Sequence, residues 1–446
     1  MKTYHIVSLG CPKNLVDSEV VAAGLEKAGL KNAAVPRKAD LVVVNTCAFI
    51  EAAREESVDE ILRAGQWKKK KGGPFLVVAG CLPQRYGEDL VPLLPEVDAF
   101  FGTTAPEDLP PLVQALLDGR APAGKNFVRP PSFLMDASHR RRLTEPRHTA
   151  YLKIAEGCSN RCSYCVIPFI RGPFRSRPAK DVIREAEALA RAGVREVVVT
   201  AQETTAWGRD LFGRPALHRL LKDLAGIGAF RWIRVLYTHP ARIGREFLEV
   251  MAAEGSIVNY IDMPIQHVDG DLLKAMNRPG SERDLRERIK TARRIVPDVA
   301  LRTSLIAGFP GETKEKFVKL LRFVREARFD HLGVFPWSAE EGTPAEKLPG
   351  RVRRDVRERR RDRIMEAQAA VSREINGALV GTVQEVLVEG SSASPDYPFV
   401  GRARRQAPEI DGVTYVRATD ARPGDFIACR IVDAGDYDLF GEELPR

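Results

Sequence analysis

No apolar run in these 446 residues is long enough to cross a membrane. The longest uncharged stretch beside a strong apolar run, Gly72–Gln84, is thirteen residues, against the ~18 that a spanning helix needs. The N-terminus, Met-Lys-Thr-Tyr-His-Ile, lacks the apolar stretch of a secretory signal. Both absences lead us to expect a cytoplasmic protein without a membrane anchor, in a compartment where disulfides rarely persist. The seven cysteines must then act as thiols or metal ligands. Disorder is excluded as the main state, because 44% hydrophobic and 29% charged residues are near globular averages. A net charge of +9 suggests an anionic partner without fixing a function.

The length suggests two to four domains, at ~100–200 residues each. In residues 1–120, short β-rich runs (His5–Leu9, Leu41–Asn45, Phe75–Ala79) alternate with helical patterns such as Leu15–Ala28. That rhythm predicts an open, parallel α/β domain. Residues 121–149 hold Pro122, Pro130, Pro131 and Pro146 and the run Arg140-Arg141-Arg142, and read as a linker. From residue 150 to 376, strand candidates recur at Tyr151–Ala155, Glu196–Thr200, Ile233–Tyr237, Tyr260–Pro264, Ala300–Ile306 and His331–Phe335. Six strand–helix units fall short of the ~250 residues of a full barrel and predict a partial (β/α)6 barrel, open on one side. It ends on a basic helix: eight of the thirteen residues Arg351–Arg363 are arginine, either a solvated face or a contact surface. Residues 377–446 carry short alternating runs broken by turn residues, and predict a small antiparallel β-barrel.

Cys158, Cys162 and Cys165 form C-x3-C-x2-C on the loop after the first barrel strand. Three thiols so close cannot all pair as disulfides. As ligands they supply three corners of an iron–sulfur cube, leaving one iron open. A structural zinc site would need a closed fourth ligand, and His148, His239 and His267 are not at finger spacing. Cys11, Cys47 and Cys81 each follow a predicted parallel strand, 36 and 34 residues apart. Ligands of open α/β sheets sit outside the carboxyl ends of the strands, so these three should converge in one crevice. Burial is the alternative for any one of them, and Cys429 reads as a core residue.

The C-x3-C-x2-C loop, with Tyr164 before its last cysteine, resembles that of the radical S-adenosylmethionine (SAM) superfamily. Thr303 to Glu312, with Gly308 and Gly311, resembles its glycine-rich adenine-contacting motif; a plain strand-to-helix turn is the other reading. It is no P-loop, since no Gly-Lys-Ser/Thr follows. Gln202 and Glu203, at the end of the second strand, are candidates for the SAM amino group, or simply a polar strand end. The whole order, a three-cysteine α/β domain, a radical SAM core and a TRAM-like barrel, resembles the methylthiotransferases. Val7-Ser8-Leu9-Gly10-Cys11-Pro12-Lys13-Asn14, Asn45-Thr46-Cys47-Ala48-Phe49-Ile50, Ala407-Pro408-Glu409-Ile410-Asp411-Gly412 and Asp436-Tyr437-Asp438-Leu439 resemble the RimO-type branch, which modifies an aspartate of small-subunit ribosomal protein twelve. The tRNA branch would read Gln-Met-Asn after the first cysteine.

That resemblance implies two [4Fe-4S] clusters, one held by Cys11, Cys47 and Cys81 and one by Cys158, Cys162 and Cys165. It implies SAM as cofactor, an electron donor, and a sulfur donor it does not identify. One SAM would methylate a sulfur at the first cluster, and another would generate the radical that activates the aspartate β-carbon. Tyr164, Gln202, Thr303, Gly308, Gly311 and Glu312 become the candidate SAM contacts, with no catalytic residue assigned beyond the cluster ligands. Charge gives a separate argument. Residues 377–446 have seven arginines, no lysine and twelve acids, a net 7 − 12 = −5. Nucleic-acid modules are normally basic, so an acidic barrel suits a basic protein partner. A tRNA adenosine substrate, or a non-catalytic zinc-stabilised RNA-binding module, remain the competing readings.

Overall fold

A computed structural model describes residues 2–68, 73–120, 124–144 and 147–445; Gly72, Pro122 and Pro146 lie outside the described residues. The chain begins with a five-stranded, all-parallel sheet. Its spatial order is Lys31–Asn32, Thr3–Ser8, Leu41–Thr46, Phe75–Gly80, Ala99–Phe100. Leu41–Thr46 is buried along its whole length, as expected of a central strand covered on both faces. Side chains alternate between the faces. Val42, Val44, Leu76 and Val78 pack with Ile61, Ala64 and Leu94 on one side. Leu41, Val43 and Val77 pack with Val21, Leu25, Leu109 and Val113 on the other. Each such side chain contributes about 1.5–3 kcal/mol by leaving water.

Six parallel strands follow in chain order: Thr149–Lys153, Glu196–Thr200, Trp232–Val235, Tyr260–Asp262, Ala300–Ala307 and His331–Pro336. They form two three-stranded runs, bridged where Ile233 meets Ile257. Amphipathic helices cover the outside: Val182, Leu189, Leu220, Leu224, Ile289, Leu320 and Val324 pack on Leu152, Val197, Val199 and Ile233. The last part is a closed five-stranded barrel. Four of its pairings are antiparallel, as expected, and Thr414–Arg417 runs parallel to Leu439–Glu443 where the barrel closes.

The segment read as a linker is packed, not loose. Phe133 and Met135 are buried with Val16, Val20, Tyr151, Trp232, Tyr260 and Leu387, which joins all three parts of the chain. Arg141 pairs with Glu19 and Glu185, each at 2.6 Å. Prolines remove helix and strand donors, but they do not prevent a segment from filling a seam.

The acidic barrel is docked on the amino ends of the core strands, where its acids already have partners. Glu385 holds Arg231 and accepts from Trp232 Nε1 at 2.8 Å. Asp411 accepts from Tyr260 Oη at 2.7 Å and lies 3.4 Å from Arg302. Arg402 reaches Glu196, which also holds Arg234 at 2.8 Å. Asp436 pairs with Arg373 and Asp438 accepts from the Val413 N–H. Glu385, Asp411 and Asp436 thus help hold the barrel to the core, while Asp438 pairs within the barrel itself.

The arginine run divides. On the helix Arg354–Gly377, Arg360 pairs with Glu312 at 2.6 Å, Arg357 donates to the Trp337 carbonyl, and Arg360 and Arg363 lie over the Phe317 ring. Arg353, Arg354 and Arg359 project into solvent.

Candidate active site at the junction of two sheets

Cys11, Cys47 and Cys81 follow the strands Thr3–Ser8, Leu41–Thr46 and Phe75–Gly80, three neighbours in the first sheet. The winding direction reverses between the first two, the place where open sheets hold ligands. Cys11 caps the helix Pro12–Lys27 and Cys81 begins the helix Cys81–Tyr86. Gly10 has φ +85°, and a Cβ there would lie 2.6 Å from Cys47 Cβ and 3.0 Å from its Sγ. Only glycine lets the Cys11 turn close on Cys47. Asn14 Nδ2 donates to the Leu9 and Thr46 carbonyls at 3.1 and 2.8 Å, and its Oδ1 lies 3.7 Å from Cys81 Sγ.

The second triad lies beyond Ala155–Glu156, at the carboxyl end of the core strands. The Cys165 N–H donates to the Cys162 carbonyl at 3.1 Å, and the Cys158 N–H to that of Gly172 at 3.1 Å. Ser163 ties the loop to the carbonyls of Ala275 and Met276. Arg278 Nη1 lies 3.9 Å from Cys162 Sγ.

All six thiols are free. Burial pushes the Cys47 thiol up to about 12, reinforced by Cys81 and Cys11. Burial likewise pushes Cys158 to about 11 and raises Cys165. It also raises Cys81, against the opposing Arg171 guanidinium. Burial would raise Cys11 too, but the charges of Lys13 and Arg171 bring it below the ordinary thiol value. Buried thiols need positive charge nearby to ionise, and a bound iron–sulfur cluster would supply it. Among the described residues no group of three or more His, Cys, Asp or Glu converges on a single metal-ion position. A four-iron cube has its irons at separate corners, so its thiolates need not meet at one point. The donor chemistry of each triad fits such a cluster.

The two sheets meet through buried charge that the cysteine spacing did not reveal. Arg171, six residues after Cys165, pairs with Asp17 at 2.6 Å, lies 3.6 Å from Glu156, donates to Asn14 Oδ1, and is 3.6 Å from Cys81 Sγ. Lys153 Nζ binds Asp17 and, at 2.8 Å, Glu156. Gln202 Nε2 donates to Glu156. Two cations thus balance two anions, with hydrogen bonds to spare, as buried ions require. Burial opposes the charge on Glu156, yet Lys153 and Arg171 hold its carboxyl down at about 2. No local sequence signal marks this network: Asp17 lies 136 and 154 residues from its partners Lys153 and Arg171.

The candidate SAM contacts fall into two groups. Tyr164 packs with Leu272, Met276, Phe309 and Trp337 beside the cluster loop, and Gln202 keeps a buried Oε1 without a partner. Glu203 pairs with Arg242 at 2.8 Å. Thr303 and Glu312 have side chains committed within the protein. Thr303 Oγ1 donates to the Met263 carbonyl at 2.9 Å and accepts from the Ile265 N–H. Glu312 accepts from the Gly308 N–H at 3.0 Å and from Arg360. Gly308 and Gly311 have φ +74° and +85° and shape the turn between Ala300–Ala307 and Lys314–Ala327.

Family models match the three parts in this order: an uncharacterized protein family, UPF0004, over residues 3–102, the radical SAM superfamily over 152–324 and a TRAM domain over 380–443. Two relatives carry the name ribosomal protein uS12 methylthiotransferase RimO. The protein of Syntrophus aciditrophicus is 56% identical over 99% of this chain and 98% of its own. That of Geobacter sulfurreducens is 47% identical over 98% and 97%. The chain belongs to the RimO family. Its radical SAM part implies a [4Fe-4S] cluster and SAM. A solved radical SAM methyltransferase, TsrM from Kitasatospora setae, shares the fold at 17% identity, with a TM-score of 0.57 over 86% of this chain and 78% of that one. No described helix of this RimO-family chain is long and apolar enough to cross a membrane.

Proposed function

We propose that this protein adds a methylthio group to the β-carbon of an aspartate in ribosomal protein uS12, in the cytoplasm, using SAM and two [4Fe-4S] clusters. One observation carries the two-centre reading. Two cysteine triads lie at the carboxyl ends of two different parallel sheets, and one buried ion network spans the seam between them. Cys158, Cys162 and Cys165 hold one cluster, and Cys11, Cys47 and Cys81 the other. Bound SAM and the clusters supply the radical chemistry and the methylated sulfur.

The chain's own residues bind, orient and exclude water. Tyr164 and Gln202 would line the SAM site, and the turn carrying Gly308 and Gly311 would take the adenine. Thr303 and Glu312 shape that turn from behind. Arg171 and Asn14 hold Cys81, and Arg171 offsets the negative charge of a thiolate-held cluster. Residues 1–120 form the sulfur-carrying domain, 121–149 the strap, 150–376 the radical SAM core and 377–446 the TRAM-like barrel. An electron donor and a sulfur donor complete the reaction.

The test is anaerobic incubation of reconstituted protein with SAM, a reductant and uS12, with the Cys158/Cys162/Cys165→Ala and Cys11/Cys47/Cys81→Ala variants beside it. Each variant should bind about half the iron of the parent. The first should form no 5′-deoxyadenosine. The second should still form it, yet give no methylthiolated uS12. Normal product from either variant refutes the two-centre reading.

A further inference from the structure

We propose that Lys13 is the residue that recognises the carboxylate of the substrate aspartate. The inference rests on the uS12 reading above. In that reaction the reacting β-carbon is bonded directly to the carboxylate carbon. Whatever binds the carboxylate must therefore lie at the junction itself, between the two cysteine triads.

The junction is rich in cations, but most are taken. Lys153 holds Asp17 and Glu156, and Arg171 holds Asp17. Arg302 holds Asp262 at 3.0 Å, and Arg242 holds Glu203. Lys13 is 5% exposed. Among the described residues its ammonium has no carboxylate within salt-bridge distance. It rests instead on the face of Tyr237, 3.2 Å from the ring centroid. This buried ammonium has a ring face and the neighbouring Cys11 sulfur beside it but no carboxylate of its own, and burying a charge is costly unless it is paired. A carboxylate arriving with the substrate completes the pair.

The platform under Lys13 is itself held in a special conformation. Tyr237 follows the core strand Trp232–Val235 and has φ +59°. Its N–H donates to Asp262 Oδ2 at 2.8 Å and its carbonyl accepts from the Thr204 N–H at 2.9 Å. The end of one core strand and the turn after another thus fix the backbone that carries the ring on which Lys13 sits. Bulky residues in this region of backbone space are rare and concentrate at functional sites. Lys13 reaches across the seam from the turn after Cys11, so the site exists only when both sheets are assembled.

The test is a binding cycle on the reconstituted holoenzyme. Affinity is measured for purified uS12 and for uS12 with the target aspartate, located by mass spectrometry of the product, changed to asparagine. Both are measured with the parent and with Lys13→Met; iron content and the visible cluster spectrum are recorded alongside. For the parent, asparagine should weaken binding at least tenfold. Lys13→Met should weaken binding of the aspartate form by a similar factor and be nearly indifferent to asparagine, with iron content and spectrum kept. Lys13→Arg should restore part of the preference. An undiminished aspartate preference in Lys13→Met overturns the inference while leaving the function intact. So does loss of iron in Lys13→Met, which would make the lysine a support for the cluster. If the parent neither binds nor modifies uS12, the functional reading falls and the inference with it.

Discussion

Replacing Arg171 by methionine tests whether the seam is held by balanced charge. The guanidinium is almost fully buried and pairs with Asp17, 2.6 Å away, beside Glu156 at 3.6 Å. Without it, Lys153 alone faces two buried carboxylates, and Asn14 Oδ1 and Cys81 Sγ lose a donor. Removing one partner of a buried ion group costs about 3–5 kcal/mol, a factor of roughly a hundred to several thousand in equilibrium. With a urea slope of about 1–3 kcal/mol per molar, the first unfolding midpoint of the cluster-free protein should fall by at least about 1 M. Iron bound after reconstitution should drop toward half, because Cys81 loses its neighbouring cation while Cys158, Cys162 and Cys165 do not. Arg171→Lys, which keeps the charge but not the fork, should fall between. An Arg171→Met protein with the parent's midpoint and full iron would refute the reasoning.

Other tests probe separate parts of the fold. Glu196 is fully buried between Arg234 and the barrel's Arg402; burial opposes its charge, but the two guanidiniums hold its carboxyl down from 4.5 to about 2. With the folded value depressed, its contribution of about 3 kcal/mol is present above pH ~4.5 and lost as pH falls toward ~2; Glu196→Gln should be less stable at pH 7 and lose less on acidification, and equal pH slopes in urea titrations would contradict this. Gly308→Ala places a Cβ 2.1 Å from Arg357 Cγ at φ +74°; it should destabilise by more than the ~1 kcal/mol of a strain-free change and weaken SAM binding measured by calorimetry, and unchanged stability would remove the turn's structural role. Asp436→Asn breaks the exposed pair with Arg373, so it should shift stability by at most about 1 kcal/mol and leave uS12 affinity at low salt unchanged; a large fall in affinity would restore the barrel's charge as a substrate signal.

The strands were readable because their apolar runs are short, β-rich and bounded by turns. Glu196–Thr200 agrees to the residue, and the other core strands to within three residues at each end. The cysteines were readable for the same reason, since each follows a strand and topology then places it. What escaped was pairing at long sequence distance. Nothing local marks Arg171 as a partner of Asp17, 154 residues away, or Glu385 and Asp411 as anchors of the barrel on Trp232 and Tyr260. Net charge pointed toward a protein substrate, but it counts acids without their partners, and Glu385 and Asp411 are already paired with the core. The prolines of the strap likewise describe local backbone and say nothing of where Phe133 and Met135 are buried.

The most direct measurement of the central claim offers the reconstituted protein uS12 and tRNA together, anaerobically, with SAM and reductant, and maps the product by mass spectrometry. A methylthio increment is expected on one aspartate of uS12, dependent on all six triad cysteines, and none on tRNA. An increment on a tRNA adenosine, or on uS12 at any residue other than aspartate, would contradict it.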